Sequence, residues 1–346
     1  MSHAVFHELI VAAVEPLTED SVLVTFEVPA ELSDDYAFTQ GQHVAIRWHG
    51  ARRNYSICSP VGGPLRIGVK HIPDGEFSAY ALERMRPGAA LEVMTPSGHF
   101  TTELDPRHSK GYAMIAAGSG ITPILSNLAT ILAVEPGSTI TLLYGNRTMR
   151  SVMFLRELED LQRQHPDRLR ILHFLTREAG QSELFSGRLD DDRIGRVIAA
   201  GMLGEIDEWF LCGPFEMVTG GREVLLASGV DAAHVHVELF HATALARPPE
   251  VTAGVRAKVT ATLDGRASDL EVGHDQSILD AMLEARADAP YACKGGMCGT
   301  CRARLLSGEV EMATNFALEP DDLARGYVLT CQSYPTTDEV VVDYDG

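Results

Sequence analysis

Short runs of alternating apolar and polar residues fill the chain up to about residue 105. SVLVTFEVP and HVAIRWHG are two of these runs, and glycine and proline turns separate them. Alternation with a period of two is typical of strands that have one buried and one solvated face. The pattern therefore predicts a small antiparallel β-barrel.

From Gly111 the pattern changes to continuous apolar runs, each followed by a stretch with helical periodicity. The runs are YAMIAAGSGITPILSNLATILA, STITLLYGNRTMRSVMFLRELEDLQRQ, LRILHFLT and EWFLCGPFEMVTGGREVLLASG. Buried strands that alternate with amphipathic helices are typical of a parallel α/β sheet. We expect this sheet to extend to about Phe240.

The stretch HATALARPPEVTAG contains prolines and small residues and has no periodicity, which is typical of a linker. After it, VRAKVTATLDGRASDLEV predicts a hairpin and SILDAMLEARA a helix. We predict a multidomain protein with an antiparallel barrel at 1–108, a parallel α/β domain at 109–240, a linker at 241–254 and an α+β domain at 255–346.

Composition narrows the class of protein. The chain has 346 residues, which is longer than a domain with a single hydrophobic core usually is. Its residues are 45% hydrophobic and 22% charged, as in soluble globular proteins. The beginning of the sequence has no basic segment followed by an apolar run, and no apolar stretch approaches membrane-spanning length. We therefore expect neither a signal peptide nor a membrane span, and a cytoplasmic location.

The net charge of -19 argues against nucleic-acid binding, which needs a basic surface. Residues 255–346 alone hold eight Lys and Arg against sixteen Asp and Glu. Such an acidic surface either docks on a basic partner or simply keeps the protein soluble.

Four of the six cysteines have an informative spacing. Cys293 and Cys298 are separated by four residues, Cys298 and Cys301 by two, and Cys331 follows after 29 more. This spacing is typical of the ligands of a plant-type [2Fe-2S] cluster, and nearby glycines allow the backbone to wrap around one. A zinc site, which usually uses two short cysteine pairs, and a disulfide remain as alternatives.

Two segments of the barrel region have the residue types that a flavin nucleotide requires. Arg53, Tyr55 and Ser56 form an R-x-Y-S pattern, in which arginine pairs with a pyrophosphate, tyrosine stacks on the flavin ring and serine bonds the flavin N5 edge. The alternative is a surface turn.

The second segment contains Gly75, Phe77 and Ser78, which open a predicted helix. The free backbone N–H groups at a helix start can bind a phosphate. The alternative is that Ser78 is an ordinary N-cap.

Two motifs of the α/β region stand at strand ends, where ligands of parallel sheets bind. The first, AAGSGITP, supplies glycines for close approach of a dinucleotide and a proline suited to a first helical turn: Gly118, Gly120, Thr122 and Pro123. The second, FLCGPFEM, contains Cys212, Gly213 and Pro214. Cys212 is a candidate nicotinamide contact or, alternatively, a small buried apolar residue.

R-x-Y-S, GSGITP and CGP in this order resemble the ferredoxin-NADP reductase superfamily, and the C-terminal CKGGMCGTC resembles its subgroup with a fused ferredoxin domain. The strings YGNRT, PYACKGGMCGTC and TNFALEPDDLARGYVLTCQ most resemble the reductase subunits of phenylacetyl-CoA epoxidases. Reductases of Rieske-type ketosteroid hydroxylases share part of these strings.

The resemblance implies roles for individual residues. Arg53, Tyr55 and Ser56 would hold FAD, with its ribityl and pyrophosphate along Val69, Lys70, Phe77 and Ser78. Glu238 and Phe240 would lie near the isoalloxazine, although a solvated strand end is the simpler interpretation of Glu238. Either Arg147 or Arg177 would grip a 2'-phosphate, which favours NADPH over NADH.

The implied reaction begins with hydride transfer from NADPH to FAD, at a contact shaped by Ser56, Cys212 and Glu238. Single electrons then pass to the [2Fe-2S] cluster and to an external oxygenase component with a di-iron centre. The alternatives are the reductase of a Rieske-type hydroxylase, a stand-alone NAD(P)H reductase of small acceptors, and a colourless zinc-stabilised binding module.

Overall fold

The structure is a computed structural model that describes residues 5–179, 182–240, 257–273, 275–286, 289–291, 293–318 and 320–346. The chain divides into two compact units, Phe6–Phe240 and a second one formed by the chain after Phe240. Each unit is described by itself. The predicted linker at 241–254 lies outside the described residues.

The first part of Phe6–Phe240 is a six-stranded antiparallel sheet with the order β4-β3-β6-β1-β2-β5. A bridge between Ile57 and Ile67 brings its two edge strands together, so the sheet curls into the barrel that the alternating pattern predicts. Its elements are β1 (Phe6–Thr18), β2 (Ser21–Glu27), β3 (His43–Trp48), β4 (Ala51–Ser56), β5 (Arg66–Lys70), α1 (Glu76–Glu83) and β6 (Ala90–Met94).

The second part is a five-stranded sheet with the order β11-β10-β7-β8-β9, in which every pair is parallel. Its central strands are buried along their length, as expected when helices cover both faces. The elements are β7 (Gly111–Ala117), α2 (Ile121–Val134), β8 (Thr139–Asn146), α3 (Leu155–Gln164), β9 (Leu169–Leu175), α4 (Asp191–Ala199), β10 (Glu208–Gly213), α5 (Phe215–Ala227) and β11 (Val235–Leu239).

Helix α2 ties the parallel sheet to the barrel through side-chain hydrogen bonds. The Ser126 hydroxyl donates to the Ser59 carbonyl at 2.6 Å, and the Asn127 amide donates to the Phe100 carbonyl at 3.0 Å. Arg66 of β5 also pairs with Glu157 of α3 at 3.0 Å. Because these bonds are largely buried, the barrel and the parallel sheet face each other in a defined way.

The second unit contains a five-stranded mixed sheet with the order β13-β12-β18-β14-β16, in which only β12 and β18 run parallel. A tight turn at Asp264 and Gly265, both with positive φ, joins the predicted hairpin. Its elements are β12 (Ala257–Leu263), β13 (Arg266–Val272), α6 (Ile278–Ala285), β14 (Arg302–Ser307), β15 (Val310–Met312), α7 (Pro320–Ala324), β16 (Tyr327–Leu329), β17 (Ser333–Pro335) and β18 (Glu339–Asp343).

Helix α6 begins where the sequence predicts it, because the Ser277 hydroxyl accepts a hydrogen bond from the Asp280 N–H. Ile278, Leu279 and Met282 on this helix are buried in the core of the unit together with the thiols of Cys301 and Cys331. Two of the predicted cluster ligands thus stand on a packed core. No helix in the described part of the chain is long and apolar enough to cross a membrane.

Candidate functional site

Ser56 and Glu238 meet where the barrel faces the parallel sheet. Ser56 is the last residue of β4, and its hydroxyl donates a 2.7 Å hydrogen bond to Oε1 of Glu238 on β11. Ser56 is buried and Glu238 partly exposed. Desolvation raises the pKa of Glu238 to about 7, and the bond from Ser56 opposes that rise. Glu238 thus lies near the end of β11, as the interpretation as a solvated strand end implies, but its carboxyl is only partly exposed and is held by Ser56.

Cys212 lies beside Glu238, since the two are register partners in the parallel pair β10–β11. Its side chain has no exposed surface, and burial followed by the charge of Glu238 raises the pKa of the thiol far above its usual range. Cys212 is thus a neutral buried thiol behind the carboxylate. A contact between this thiol and a nicotinamide would require the side chains that cover it to move.

The other residues of the R-x-Y-S strand lie around Ser56. Tyr55 is partly exposed, and its ring centroid is 5.4 Å from that of Phe77. Arg53 is exposed, and its guanidinium donates to the Arg52 carbonyl at 2.9 Å. The buried Oδ1 of Asn54 has no partner within the described residues. The strand therefore offers a cation, an aromatic face and an unsatisfied acceptor, which fits a bound flavin nucleotide.

The turn that precedes α1 differs from the prediction in one respect. The helix begins at Glu76 with Gly75 as its N-cap, so an N-cap at Ser78 is wrong. The Ser78 hydroxyl instead donates to the Gly75 carbonyl at 2.9 Å and accepts from the Ile72 N–H at 3.1 Å. Phe77 is buried against Tyr55. Both side chains are engaged, so a phosphate would meet the backbone of this turn.

Val69 is fully buried in β5, and Lys70 after it pairs with Asp20 at 3.3 Å. Burial alone would raise the pKa of Asp20, but a hydrogen bond from Thr18 and the charges of Lys70 and Arg147 lower it. The cation of Arg147 thus acts on a carboxylate of the barrel. Arg147 and Arg177 are both exposed, and the Arg177 N–H donates to the Arg147 carbonyl at 2.8 Å.

The GSG turn and the CGP turn approach each other closely at the carboxyl ends of β7 and β10. A Cβ on Gly120 would lie 2.1 Å from the Cys212 carbonyl oxygen, so only glycine fits there. Thr122 and Pro123 lie in the first turn of α2, as predicted, and the Thr122 hydroxyl donates to the Ser119 carbonyl at 3.0 Å. Gly118 has a φ of 55° and open space around it. A dinucleotide can therefore approach this backbone closely.

The CGP turn ends against α5. A Cβ on Gly213 would lie 2.7 Å from Cε of Met217 in α5, and Pro214 is the N-cap of that helix. Phe240, beyond the end of β11, packs against the hydrophobic core that includes Cys212. The predicted residues from the two strand ends thus surround one edge of the parallel sheet.

The four cysteines of the second unit form two thiol pairs. A hydrogen bond from Cys298 lowers the pKa of Cys293 to about 6, while a hydrogen bond with Cys331 and then burial raise that of Cys301. Among the described residues, no group of three His, Cys, Asp or Glu side chains is placed to hold one metal ion. A [2Fe-2S] cluster takes two cysteines on each iron, and the two thiol pairs fit that ligand set.

The loop around the first pair directs N–H groups at sulfur. The Gly295 and Met297 N–H groups donate to Cys293 Sγ at 3.3 and 3.5 Å. Gly296 has a φ of 74°, and a Cβ there would lie 2.8 Å from the Thr314 carbonyl. Such donors stabilise thiolates, as the wrapping of the loop predicts.

Sequence reasoning missed several residues that support these sites. The Gln332 amide donates to the Lys294 carbonyl at 2.9 Å, which links the strand after Cys331 to the cysteine loop. Trp48 and Tyr80 stack with ring centroids 4.3 Å apart beside Phe77. A glutamine next to a cysteine ligand is a usable signal, whereas nothing local in the sequence indicates the Trp48 contact.

Known protein families and relatives match nearly the whole length of this chain. An oxidoreductase FAD-binding domain matches residues 8–102, an oxidoreductase NAD-binding domain matches 114–223 and a 2Fe-2S iron-sulfur cluster binding domain matches 261–336. A subunit of 1,2-phenylacetyl-CoA epoxidase from Escherichia coli is 44% identical over 98% of both chains. The ferredoxin reductase component of 3-ketosteroid-9-alpha-monooxygenase from Rhodococcus rhodochrous is 34% identical over 97% of this chain and 96% of its own.

Solved structures share the fold. Phthalate dioxygenase reductase superposes with a TM-score of 0.58 at 23% identity and covers 98% of both chains. An intact type IV self-sufficient cytochrome P450 monooxygenase gives 0.73 at 22% identity over 97% of this chain and 41% of its own. With its FAD, NAD(P) and [2Fe-2S] domains, the chain belongs to the ferredoxin-NADP reductase superfamily, in the subgroup with a C-terminal ferredoxin domain, and is an electron-transfer reductase of the type found in oxygenase systems.

Proposed function

We propose that this chain is the reductase component of a di-iron phenylacetyl-CoA epoxidase and that it takes electrons from NADPH. The identity to the Escherichia coli epoxidase protein, 44% over 98% of both chains, is the observation that supports this acceptor. The ketosteroid monooxygenase reductase is 34% identical over a similar length. Both relatives match this chain along all of its domains, so the difference in sequence identity is not caused by a missing domain.

The Ser56–Glu238 contact supports our assignment of the flavin site, where electrons from NADPH enter the protein. FAD exchanges electron pairs with a nicotinamide and single electrons with an iron-sulfur cluster, and the bound cofactors supply that chemistry. Ser56 holds its hydroxyl proton toward Glu238 Oε1 at 2.7 Å, which orients Oγ so that it would face the edge of a bound flavin. Tyr55 would stack on the flavin ring and Arg53 would pair with the pyrophosphate. Cys212 keeps the floor of this contact apolar.

The nucleotide enters along the GSG turn and α2, and we assign its 2'-phosphate to Arg177. The charge of Arg147 makes the smallest of the contributions that lower the pKa of Asp20 of the barrel, and we therefore choose Arg177 as the first candidate. Arg177 is exposed at the end of β9, where a guanidinium can bind a phosphate through two hydrogen bonds. NADPH is therefore the preferred donor.

Cys293, Cys298, Cys301 and Cys331 hold the cluster, and the unit that contains them docks on the oxygenase. Residues 255–346 hold sixteen acidic and eight basic residues, so the matching surface of the oxygenase is basic. None of the six cysteines, all of which lie in the described part of the chain, forms a disulfide, which suits a reducing compartment such as the cytoplasm.

The test is reconstitution with purified oxygenase components. The holoprotein is mixed with NADPH and either a di-iron phenylacetyl-CoA epoxygenase component or a Rieske-type ketosteroid hydroxylase component, and the oxygenated product is quantified. We expect product with the first only. Product with the second only would assign the chain to the Rieske systems, and rapid NADPH oxidation with small acceptors but neither oxygenase would indicate a stand-alone reductase.

A further inference from the structure

Tyr144 is a buried tyrosine that the cofactor assignments above do not use. It lies within β8, its side chain has no exposed surface, and its hydroxyl donates to the Gly118 carbonyl at 3.0 Å. Gly118 follows β7 and opens the GSG turn at the nucleotide edge of the sheet. A side chain from one strand thus holds the backbone of the turn that follows its neighbour.

This bond adds to a backbone bond from the Ile121 N–H in holding the direction of a carbonyl, in a turn that has to receive an anion. Carbonyl oxygens repel phosphate oxygens, whereas backbone N–H groups attract them. The Gly118 carbonyl is bound by Tyr144, and the next carbonyl, that of Ser119, is bound by the Thr122 hydroxyl at 3.0 Å. The Ile121 N–H bonds both of these oxygens as well, so one backbone donor and two side-chain hydroxyls together keep consecutive carbonyls from turning toward a pyrophosphate.

The surroundings of Tyr144 are more polar than a purely structural core requires. His173 is its register partner on β9, with ring centroids 6.1 Å apart, and the Asn146 amide lies beside the Tyr144 hydroxyl. His173 Nδ1 is buried and has no hydrogen-bond partner within the described residues. An unsatisfied buried polar atom costs stability, so its presence beside Tyr144 favours a functional role for this face.

We infer that Tyr144 is a positioning residue for the pyridine nucleotide: its hydroxyl holds the Gly118 carbonyl away from the pyrophosphate and so sets the conformation of the GSG turn for binding. The inference rests on nucleotide binding by this domain. Because the hydroxyl acts on the turn and not on the reacting atoms, its loss affects binding rather than the chemical step.

The experiment compares wild-type holoprotein with Tyr144→Phe, which keeps the ring and removes only the hydroxyl. KM for NADPH and Kd for NADP⁺, the latter from flavin difference spectra, are expected to rise about 5- to 10-fold, as for the loss of one buried hydrogen bond. The kcat with a dye acceptor should stay within about twofold, because the turn does not touch the reacting atoms. FAD and iron contents should not change.

Tyr112→Phe is the matched control. Tyr112 lies in β7 and is equally buried, but its hydroxyl donates to Glu135 Oε2 at 2.9 Å instead of to the GSG turn. Unchanged KM and Kd in Tyr144→Phe, or an equal rise in Tyr112→Phe, would overturn the inference. If Tyr144→Phe does not fold, Thr122→Val removes the second hydroxyl, and an unchanged KM there has the same meaning. Wild-type protein that fails to oxidise NAD(P)H would instead contradict the proposed function.

Discussion

The Ser56 hydroxyl and the Glu238 carboxylate form a 2.7 Å hydrogen bond although 182 positions separate them in the chain. One residue ends a strand of the barrel, and the other lies on the edge strand of the parallel sheet. Neither domain contains this contact alone. The bonds between α2 and the barrel hold the two domains so that it forms.

Glu238 should make stability fall as pH rises. Its pKa is raised from 4.5 to about 7, so between these values the folded protein binds a proton that the unfolded chain has lost. Relative to Glu238→Gln, the free energy of unfolding of the wild type should drop by up to about 3 kcal/mol from pH 4.5 to 7 and then level off. Denaturant unfolding across this range, with excess FAD, measures the difference.

The matched control for that experiment is Glu31→Gln, because Glu31 is exposed on the barrel. Its unfolding is measured in parallel over the same pH range. A Glu238→Gln difference that does not vary with pH would contradict a carboxylate with a raised pKa.

Cys298→Ser should separate the two halves of the electron path. Loss of one cluster ligand should remove the broad visible absorbance of the cluster and abolish delivery to a protein acceptor, while NADPH-to-dye turnover through the flavin stays near the wild-type rate. Cys58→Ser is the control, since Cys58 is a buried thiol of the barrel that donates to the Arg66 carbonyl. If Cys298→Ser lowers both activities equally, the order of flavin before cluster is wrong.

Arg177→Ala should change the choice of nucleotide. Removal of a guanidinium that bonds the 2'-phosphate should raise KM for NADPH about 10-fold or more and KM for NADH less than about 2-fold. Arg147→Ala, which removes the cation near Asp20, should change the ratio of the two KM values much less. Steady-state kinetics with NADPH and NADH measure both KM values. An unchanged ratio of these KM values in Arg177→Ala would show that Arg177 does not bind the 2'-phosphate.

Gly120→Ala should destabilise the unit Phe6–Phe240. Its new Cβ would lie 2.1 Å from the Cys212 carbonyl, and backbone must move to accept it. We expect a loss of about 3 kcal/mol and a Tm lower by roughly 6–12 °C in a thermal scan. In Gly195→Ala, on α4, the nearest atom is 3.7 Å away, so the helix should gain about 0.5–1 kcal/mol. Equal Tm values for the two variants would mean that the turns are not tightly packed.

Much of the fold follows from local patterns. Alternation in SVLVTFEVP predicts a barrel strand, and the structure has β2 at Ser21–Glu27. The serine before the last predicted helix marks its start, because an N-cap acts within one turn. The start of α1 is harder to predict: Ser78 has the right side chain for an N-cap, but its hydroxyl bonds the preceding turn instead. Competing local hydrogen bonds of similar strength cannot be ranked from the sequence.

The sequence by itself determined the domain types, the candidate cofactors and the four candidate cysteine ligands, because strand alternation, glycine turns and cysteine spacing are local properties of the chain. Only the tertiary structure brought Ser56 to Glu238, buried Cys212 behind it, and turned the Tyr144 hydroxyl to the Gly118 carbonyl. These contacts join distant strands, and the pKa of Glu238 depends on how much water the surrounding domains exclude. Packing between domains decides such properties, and no local pattern encodes it.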